Sequence, residues 1–409
     1  MKMSTEMIAP RLCRLFACVG FAVGAAVISA PRAGAMPDIM PASQVRPGMT
    51  GVGKSVFEGT KVETFPITVL GVLEKMDYGG GDMIVIRIDG GTVVKQRCGI
   101  VGGMSGSPIY VQGKLIGAIA WSVSFSSLPI AGVTPIGQMM EAYRPGWSGG
   151  AAEASARWRG DPITVDGRKF TRFAVARDGM VAAAAGADTM VFRPLATPVV
   201  VSGLGPVAMK NLTKLLEPHN LVPIPGPGPV GKPMHVDLEP GSAVGVRLVS
   251  GDIDVSAVGT LTCIDGDQVV AFGHSIFCSS LGTTDLPLTT AYVHGVWPSA
   301  WMSFKLSSPI EPVGHWTQDR MWSVGGTLGT QADMVPATFR LSDADRKVSR
   351  TFNISAFRDP DWTSYLVLGT LLDALSAVSS GNVMDRGSQR VRFKVDLEGM
   401  PPIERQNAF

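Results

Sequence analysis

Charge is scarce in this chain. Only 17% of its 409 residues are Asp, Glu, Lys or Arg, and the formal net charge is +2. With no basic block, there is no electrostatic footprint for nucleic acid. Histidine occurs five times and cysteine five times. No Cys-x-x-Cys and no histidine pair at helical ligand spacing is present, so the sequence offers no metal site and no cofactor motif. Aromatic residues make up 7%. No segment past residue 35 is long and apolar enough to span a bilayer, which takes roughly 20 residues. Glycine, at 49 residues, and proline, at 29, are abundant. Together with 45% hydrophobic residues, they indicate many short strands joined by tight turns, a mainly β chain of two or three domains.

Residues 1–35 carry the marks of a secretory signal. Lys2, Arg11 and Arg14 provide a positive start, Leu15 to Ile28 an apolar run, and Ala33-Gly34-Ala35 an A-x-A-type cleavage site. This predicts export to the periplasm or beyond, with no membrane span after signal removal. Cys13 and Cys18 leave with the signal. Cys98, Cys263 and Cys278 remain; the last two bracket a predicted hairpin and could pair, leaving Cys98 free.

Two glycine-rich stretches invite a chemical reading. Gly48 to Ser55 satisfies the phosphate-loop pattern Gly-x-x-x-x-Gly-Lys-Ser, with Ile84 to Asp89 resembling its companion strand. That pattern binds phosphate only between a buried strand and a helix N-terminus. Here Pro41 to Pro47 precede it and Val56-Phe57-Glu58-Gly59 come after it, so a turn before a strand is expected and no nucleotide. The second stretch is Cys98-Gly-Ile-Val-Gly-Gly-Met-Ser-Gly-Ser-Pro108. A serine between glycines can stand on a tight turn, with the Gly103 and Ser105 amides uncovered for a developing oxyanion. A Gly/Ser turn joining two strands is the plainer alternative.

The residues downstream of the serine bear on the choice between the two. Gly113-Lys-Leu-Ile-Gly-Ala-Ile-Ala-Trp121, Ala131 to Ile136 and a short helical run to Tyr143 are similar to the end of a chymotrypsin-type barrel. More closely, Gly99 to Ile109 with Gly113 to Ala118 resembles the SpoIVB-type serine peptidases. The resemblance covers about a quarter of the chain. It implies a chymotrypsin-like double β-barrel in which Ser105 is the nucleophile. Asp89, at a strand end sixteen residues earlier, is then the acid, with Asp285 in reserve. His274, ending the strand Val269-Val-Ala-Phe-Gly-His, is the base. Gly99 falls at the floor of the specificity pocket, while Trp121, Ser122 and Gly132 line it, and no charge sits there. Met104 stands where trypsin-like zymogens keep an activating acid. Members of the family run His, Asp, Ser, whereas this chain runs Asp89, Ser105, His274, so the half-sites come in swapped, permuted order.

The organisation expected is therefore a signal at 1–35, a serine-bearing β module at 36–145, and a linker with a small α/β insertion at 146–235. A histidine-bearing β module at 236–345 and a C-terminal strand-helix-strand appendage at 346–409 complete it. The function expected is a secreted serine endopeptidase making limited cleavages in envelope proteins. A catalytically inactive relative that binds peptide or protein partners is the alternative.

Overall fold

The computed structural model describes residues 36–76, 80–123, 128–143, 156–176, 186–228, 230, 234–277, 282–299, 302–378, 390–396 and 399–408. Residues 1–35, most of the expected linker and Cys278 lie outside them. Alternation of β-branched and glycine residues builds six strands first: β1 (Thr50–Val56), β2 (Val62–Glu74), β3 (Met83–Ile88), β4 (Pro108–Val111), β5 (Lys114–Val123) and β6 (Ile130–Pro135). A short helix α1 (Gly91–Lys95) separates β3 from β4, and α2 (Ile136–Met139) follows β6. All neighbours pair antiparallel in the order β5-β4-β1-β2-β3-β6, and β6 pairs back onto β5 to close the barrel. Phe65, Ile67, Val69, Ile84, Ile86, Ile109 and Ile119 are buried together in it.

Residues 146–235 divide between the two halves of the molecule. Strands β7 (Arg157–Gly160), β8 (Ile163–Val165), β9 (Arg168–Phe170), β10 (Arg172–Val175) and β11 (Thr189–Pro194) come first. Of these, β7 pairs with β2, and β11 with the end of β5. The rest, β12 (Thr197–Ser202), α3 (Pro206–Leu216) and β13 (Leu221–Pro225), belong to the second sheet.

That sheet holds the second ring: β14 (Ala243–Gly251), β15 (Asp254–Asp265), β16 (Gln268–Ala271), β17 (Gly282–Trp297), β18 (Phe304–Arg320) and β19 (Ser323–Leu328). Its order is β15-β16-β19-β18-β17-β14, closed by β14 on β15. Val244, Val246, Leu261, Phe272, Leu288, Trp316 and Val324 are its buried core. The fold is thus a double β-barrel, with the serine-bearing ring first in the chain. Strands β20 (Met334–Asp343) and β21 (Val348–Phe357) extend this sheet from β14, and α4 (Trp362–Val378) buries Trp362, Leu366 and Ala374 in its core. A hairpin of β22 (Arg390–Val395) and β23 (Ile403–Ala408) ends the chain.

The phosphate-loop lookalike is a turn at Gly48, with φ of 81°, running into β1. The helix that a phosphate loop requires is replaced by a strand. No described helix is long and apolar enough to cross a membrane.

The two rings meet at the serine turn, and glycine permits the approach. Gly106 has φ of 93°, and a Cβ there would run into the Thr260 carbonyl and the Phe272 amide of the other ring. Gly106→Ala is therefore expected to destabilise the protein by at least about 2 kcal/mol, measured by urea denaturation. Gly113→Ala serves as control, because it has a similar φ and open space around it.

Candidate active site

The turn between α1 and β4 carries Ser105. Its backbone carbonyls point into the second ring. Gly102 O accepts from Lys305 N (2.9 Å) and Ser105 O from Thr260 N (2.8 Å). Gly103 O accepts from Thr260 Oγ1 (2.8 Å) and Gly106 O from Thr262 Oγ1 (2.7 Å). The Gly106 amide is tied to Ile119 O of β5 (2.8 Å). Among the described residues, neither the Gly103 nor the Ser105 amide donates to another group. Gly103 has φ of 94°, and uncommitted N–H groups on such a turn can serve a developing anionic oxygen.

His274 reaches this turn from the end of β16. Phe272 sits at φ of 67° and Gly273 at φ of 70°, and Gly273 N donates to Ala271 O (2.8 Å). A γ-turn around a buried aromatic residue costs about 1–3 kcal/mol. It swings the next side chain out of the strand and across to the other ring. Thr134 of β6 fixes the turn by donating its hydroxyl to Gly273 O (2.7 Å), and it accepts from Trp121 Nε1 (3.2 Å).

The result is a Ser105 Oγ to His274 Nε2 distance of 2.7 Å, between residues 169 positions apart. His274 Nδ1 faces Ser275 O at 2.8 Å. A carbonyl can only accept, so Nδ1 holds the proton and Nε2 is the acceptor for the serine hydroxyl. Burial pushes the imidazole pKa down to about 4, partly opposed by the Ser275 carbonyl, so the ring is neutral at pH 7.

Neither carboxylate that the resemblance offers as the acid is among the hydrogen-bond partners of His274, which are Ser105 and Ser275. Asp89 accepts from Thr68 Oγ1 (2.6 Å) and pairs with Arg87 Nε (2.5 Å), while the Nδ1 that it was to hold belongs to the Ser275 carbonyl. Asp285 is engaged with His315 Nδ1 (2.6 Å) and Asp333 N (2.9 Å). The carboxylate beside the histidine is Asp319 of β18, fully buried. It accepts from Ser275 Oγ (2.9 Å), Ile276 N (2.9 Å) and Phe277 N (3.2 Å). It therefore holds the loop whose carbonyl orients His274. In sequence, Asp319 passes for one more polar residue of a strand, and only its inward register among Trp316 and Val324 marks it.

A second unforeseen group lies beneath the turn. Lys305 is fully buried, with Nζ donating to Ser55 Oγ (2.9 Å) and Thr260 Oγ1 (3.3 Å) and standing 5.7 Å from the Phe57 ring centroid. Ser107 donates to the same Ser55 oxygen (2.9 Å). Ser55, the last residue of the phosphate-loop lookalike, thus belongs to a polar network under the serine turn. No described carboxylate pairs with Lys305, and burial lowers its pKa to about 7.

The residues expected to line the pocket are spread along the neighbouring strands. Gly99 has φ of 63° and open space about it. Trp121 is buried, with its ring centroid 6.5 Å from that of Trp322. Ser122 pairs with Ala131 on one side and Arg193 on the other. Gly132 lies opposite Trp121, where a side chain would strike the Met83 sulfur. Cys98 and Cys263 are buried free thiols; burial raises both pKa values, that of Cys263 to about 12. Among the described residues no His/Cys/Asp/Glu cluster could hold a metal.

Comparison with known families adds one finding. Residues 23–132 match the family described as SpoIVB peptidase S55. The match includes the Ser105 turn and ends well before His274. The resemblance read from the serine motif holds over this stretch, and it supports a peptidase, a hydrolase of the serine class. No curated protein and no solved structure shows significant similarity to the chain.

The buried lysine has a measurable signature. Between pH 7 and 10.5 the unfolded chain binds a proton at Lys305 that the native chain does not. Stability therefore rises with pH across that window, by up to about 1.4 kcal/mol per unit. In Lys305→Met this part of the slope disappears, as read from urea denaturation at pH 7, 8 and 9.

Proposed function

We propose that the chain is an exported serine endopeptidase that makes limited cleavages in envelope proteins, acting through Ser105 and His274. The observation that carries the reading is the 2.7 Å contact between Ser105 Oγ and the acceptor nitrogen of His274, beside two uncommitted amides. As Ser105 Oγ attacks a peptide carbonyl, His274 Nε2 takes its proton. The carbonyl oxygen becomes an oxyanion against the Gly103 and Ser105 N–H groups. His274 then gives the proton to the leaving amine, and the C–N bond breaks to leave an acyl-serine. A water repeats the sequence, its proton passing through His274 back to Ser105 Oγ. Ser275 O keeps Nδ1 protonated throughout, and Asp319 acts one step removed by holding the Ser275–Phe277 loop.

Export rests on the signal-like residues 1–35, and limited cleavage on the resemblance to the SpoIVB family. The alternative, a peptide binder that cuts nothing, draws on the carbonyl that stands where a triad has a carboxylate.

Fluorophosphonate labelling followed by intact mass decides between them. One adduct is expected on the wild type and none on Ser105→Ala or His274→Ala. Asp319→Asn places an amide N–H₂ among hydrogen-bond donors, and labelling should slow by about tenfold or more, whereas Asp89→Asn should stay within about twofold. The acid limb of the labelling rate should fall below the ordinary histidine range near 6.5, toward about 4. A wild type that takes no adduct, with no processing of a peptide library, would favour the binder.

A further inference from the structure

Ser105 is fully buried and His274 nearly so, although a peptidase must admit an extended chain there. The edge of β5 shows what stands in the way. β4 pairs with β5 only as far as Ala118. Ile119 then bonds to the nucleophile turn, accepting from Gly106 N (2.8 Å) and donating to Ser107 O (3.0 Å). The next residue, Ala120, accepts from Leu195 N through its carbonyl (2.8 Å). Beyond it, Trp121, Ser122 and Val123 pair antiparallel with Pro194, Arg193 and Phe192. An extended segment therefore lies along the β5 edge and heads straight for the serine turn.

Past Leu195 the chain skirts that turn. A Cβ on Gly102 would stand 3.2 Å from Ala196 O and 3.4 Å from Pro198 Cδ. Thr197 then begins β12 in the other sheet, so the segment crosses from one ring to the other at the catalytic pair. Leu195 is 2% exposed and belongs to the buried core of the first ring, the cluster of Phe65, Ile67 and Ile109 that also takes in Cys98, Val101, Met104 and Ile119. Of these, Cys98, Val101 and Met104 lie in the serine-turn segment that also holds Gly99, and Ile119 bonds to that turn from β5. Strand addition to an exposed sheet edge, with side-chain pockets supplying selectivity, is a general way to bind an extended peptide.

We propose that Phe192–Leu195 is an internal pseudosubstrate. Leu195 fills the pocket that takes the substrate residue preceding the scissile bond, and the substrates are extended segments with a leucine-like aliphatic residue at that place. The proposal rests on the serine-peptidase reading. The segment resists cleavage because its carbonyl is not in the oxyanion hole: the Gly103 and Ser105 amides donate to no described group. Activation is then displacement of this segment from the β5 edge.

The test uses the full chain with Leu195→Gly and Leu195→Asp, both checked for native circular dichroism. Vacating the pocket should speed fluorophosphonate labelling of Ser105 by about tenfold or more, as expected when a rarely open state becomes the main one. Folded variants labelling at the wild-type rate would overturn the proposal. A second arm needs no nucleophile. In Ser105→Ala combined with Leu195→Gly, fluorescence anisotropy compares a labelled peptide Thr-Met-Val-Phe-Arg-Pro-Leu-Ala with its Leu→Asp counterpart. The leucine peptide should bind at least about tenfold tighter, or about 1.4 kcal/mol, and equal affinities would overturn the proposal. Preference for leucine with no labelling of any form would uphold the groove and sink the peptidase reading. Labelling at one rate in all forms, with no peptide preference, would do the reverse.

Discussion

Everything at the site depends on how the serine turn spends its hydrogen-bonding capacity. Four of its carbonyls, those of Gly102, Gly103, Ser105 and Gly106, accept from Lys305, Thr260 and Thr262 of the second ring. A glycine-rich turn left to itself would sample many conformations. Here the acceptors are consumed by the second ring, which fixes the turn and leaves the Gly103 and Ser105 amides without a described acceptor. The proposed oxyanion site is thus the unused remainder of an inter-barrel contact. The same contact sets the distance between the serine on one barrel and the histidine on the other.

The histidine is held by a chain of lesser constraints. A γ-turn at Phe272 aims it, the Ser275 carbonyl selects its tautomer, and Asp319 pins the loop supplying that carbonyl. Replacing a carboxylate at Nδ1 by a carbonyl has an electrostatic cost. Burial lowers the pKa of the ring, and the Ser275 carbonyl offsets only part of that shift. Beneath the turn Lys305 contributes a buried amine against hydroxyls and an aromatic face. Burial lowers the pKa of both groups, so opening the site would change their protonation along with its shape.

Much of this was legible in the sequence. The strands, the Pro206–Leu216 helix and the serine turn announce themselves through β-branched alternation, a proline at a helix start and glycines around a serine. His274 was singled out as the end of a strand Val269 to His274, whereas the strand stops at Ala271 and the γ-turn at Phe272 carries the histidine beyond it. The acid was not legible. Asp89 lies near Ser105 in sequence, but its strand end turns it toward Arg87 and Thr68. Asp319 lies 45 positions after His274, a separation that only the β16-β19-β18 ladder of the second ring brings together. Lys305 and Ser55 come from different barrels, so their meeting is a property of the docking. Residues 146–235 read as an insertion because local pattern cannot show that β11 joins one sheet and β12 the other.

The crossing from β11 to β12 is also the covalent connection between the two sheets, and that changes the terms on which any other chain can enter. A tethered segment competes at an effective concentration fixed by its tether, in the millimolar range for short flexible links. Dilution does not weaken it, and raising the protein concentration does not strengthen it. An occupant on this edge therefore imposes a constant threshold on every rival peptide. Entry goes to chains that arrive with binding energy from outside the cleft or at a comparably high local concentration.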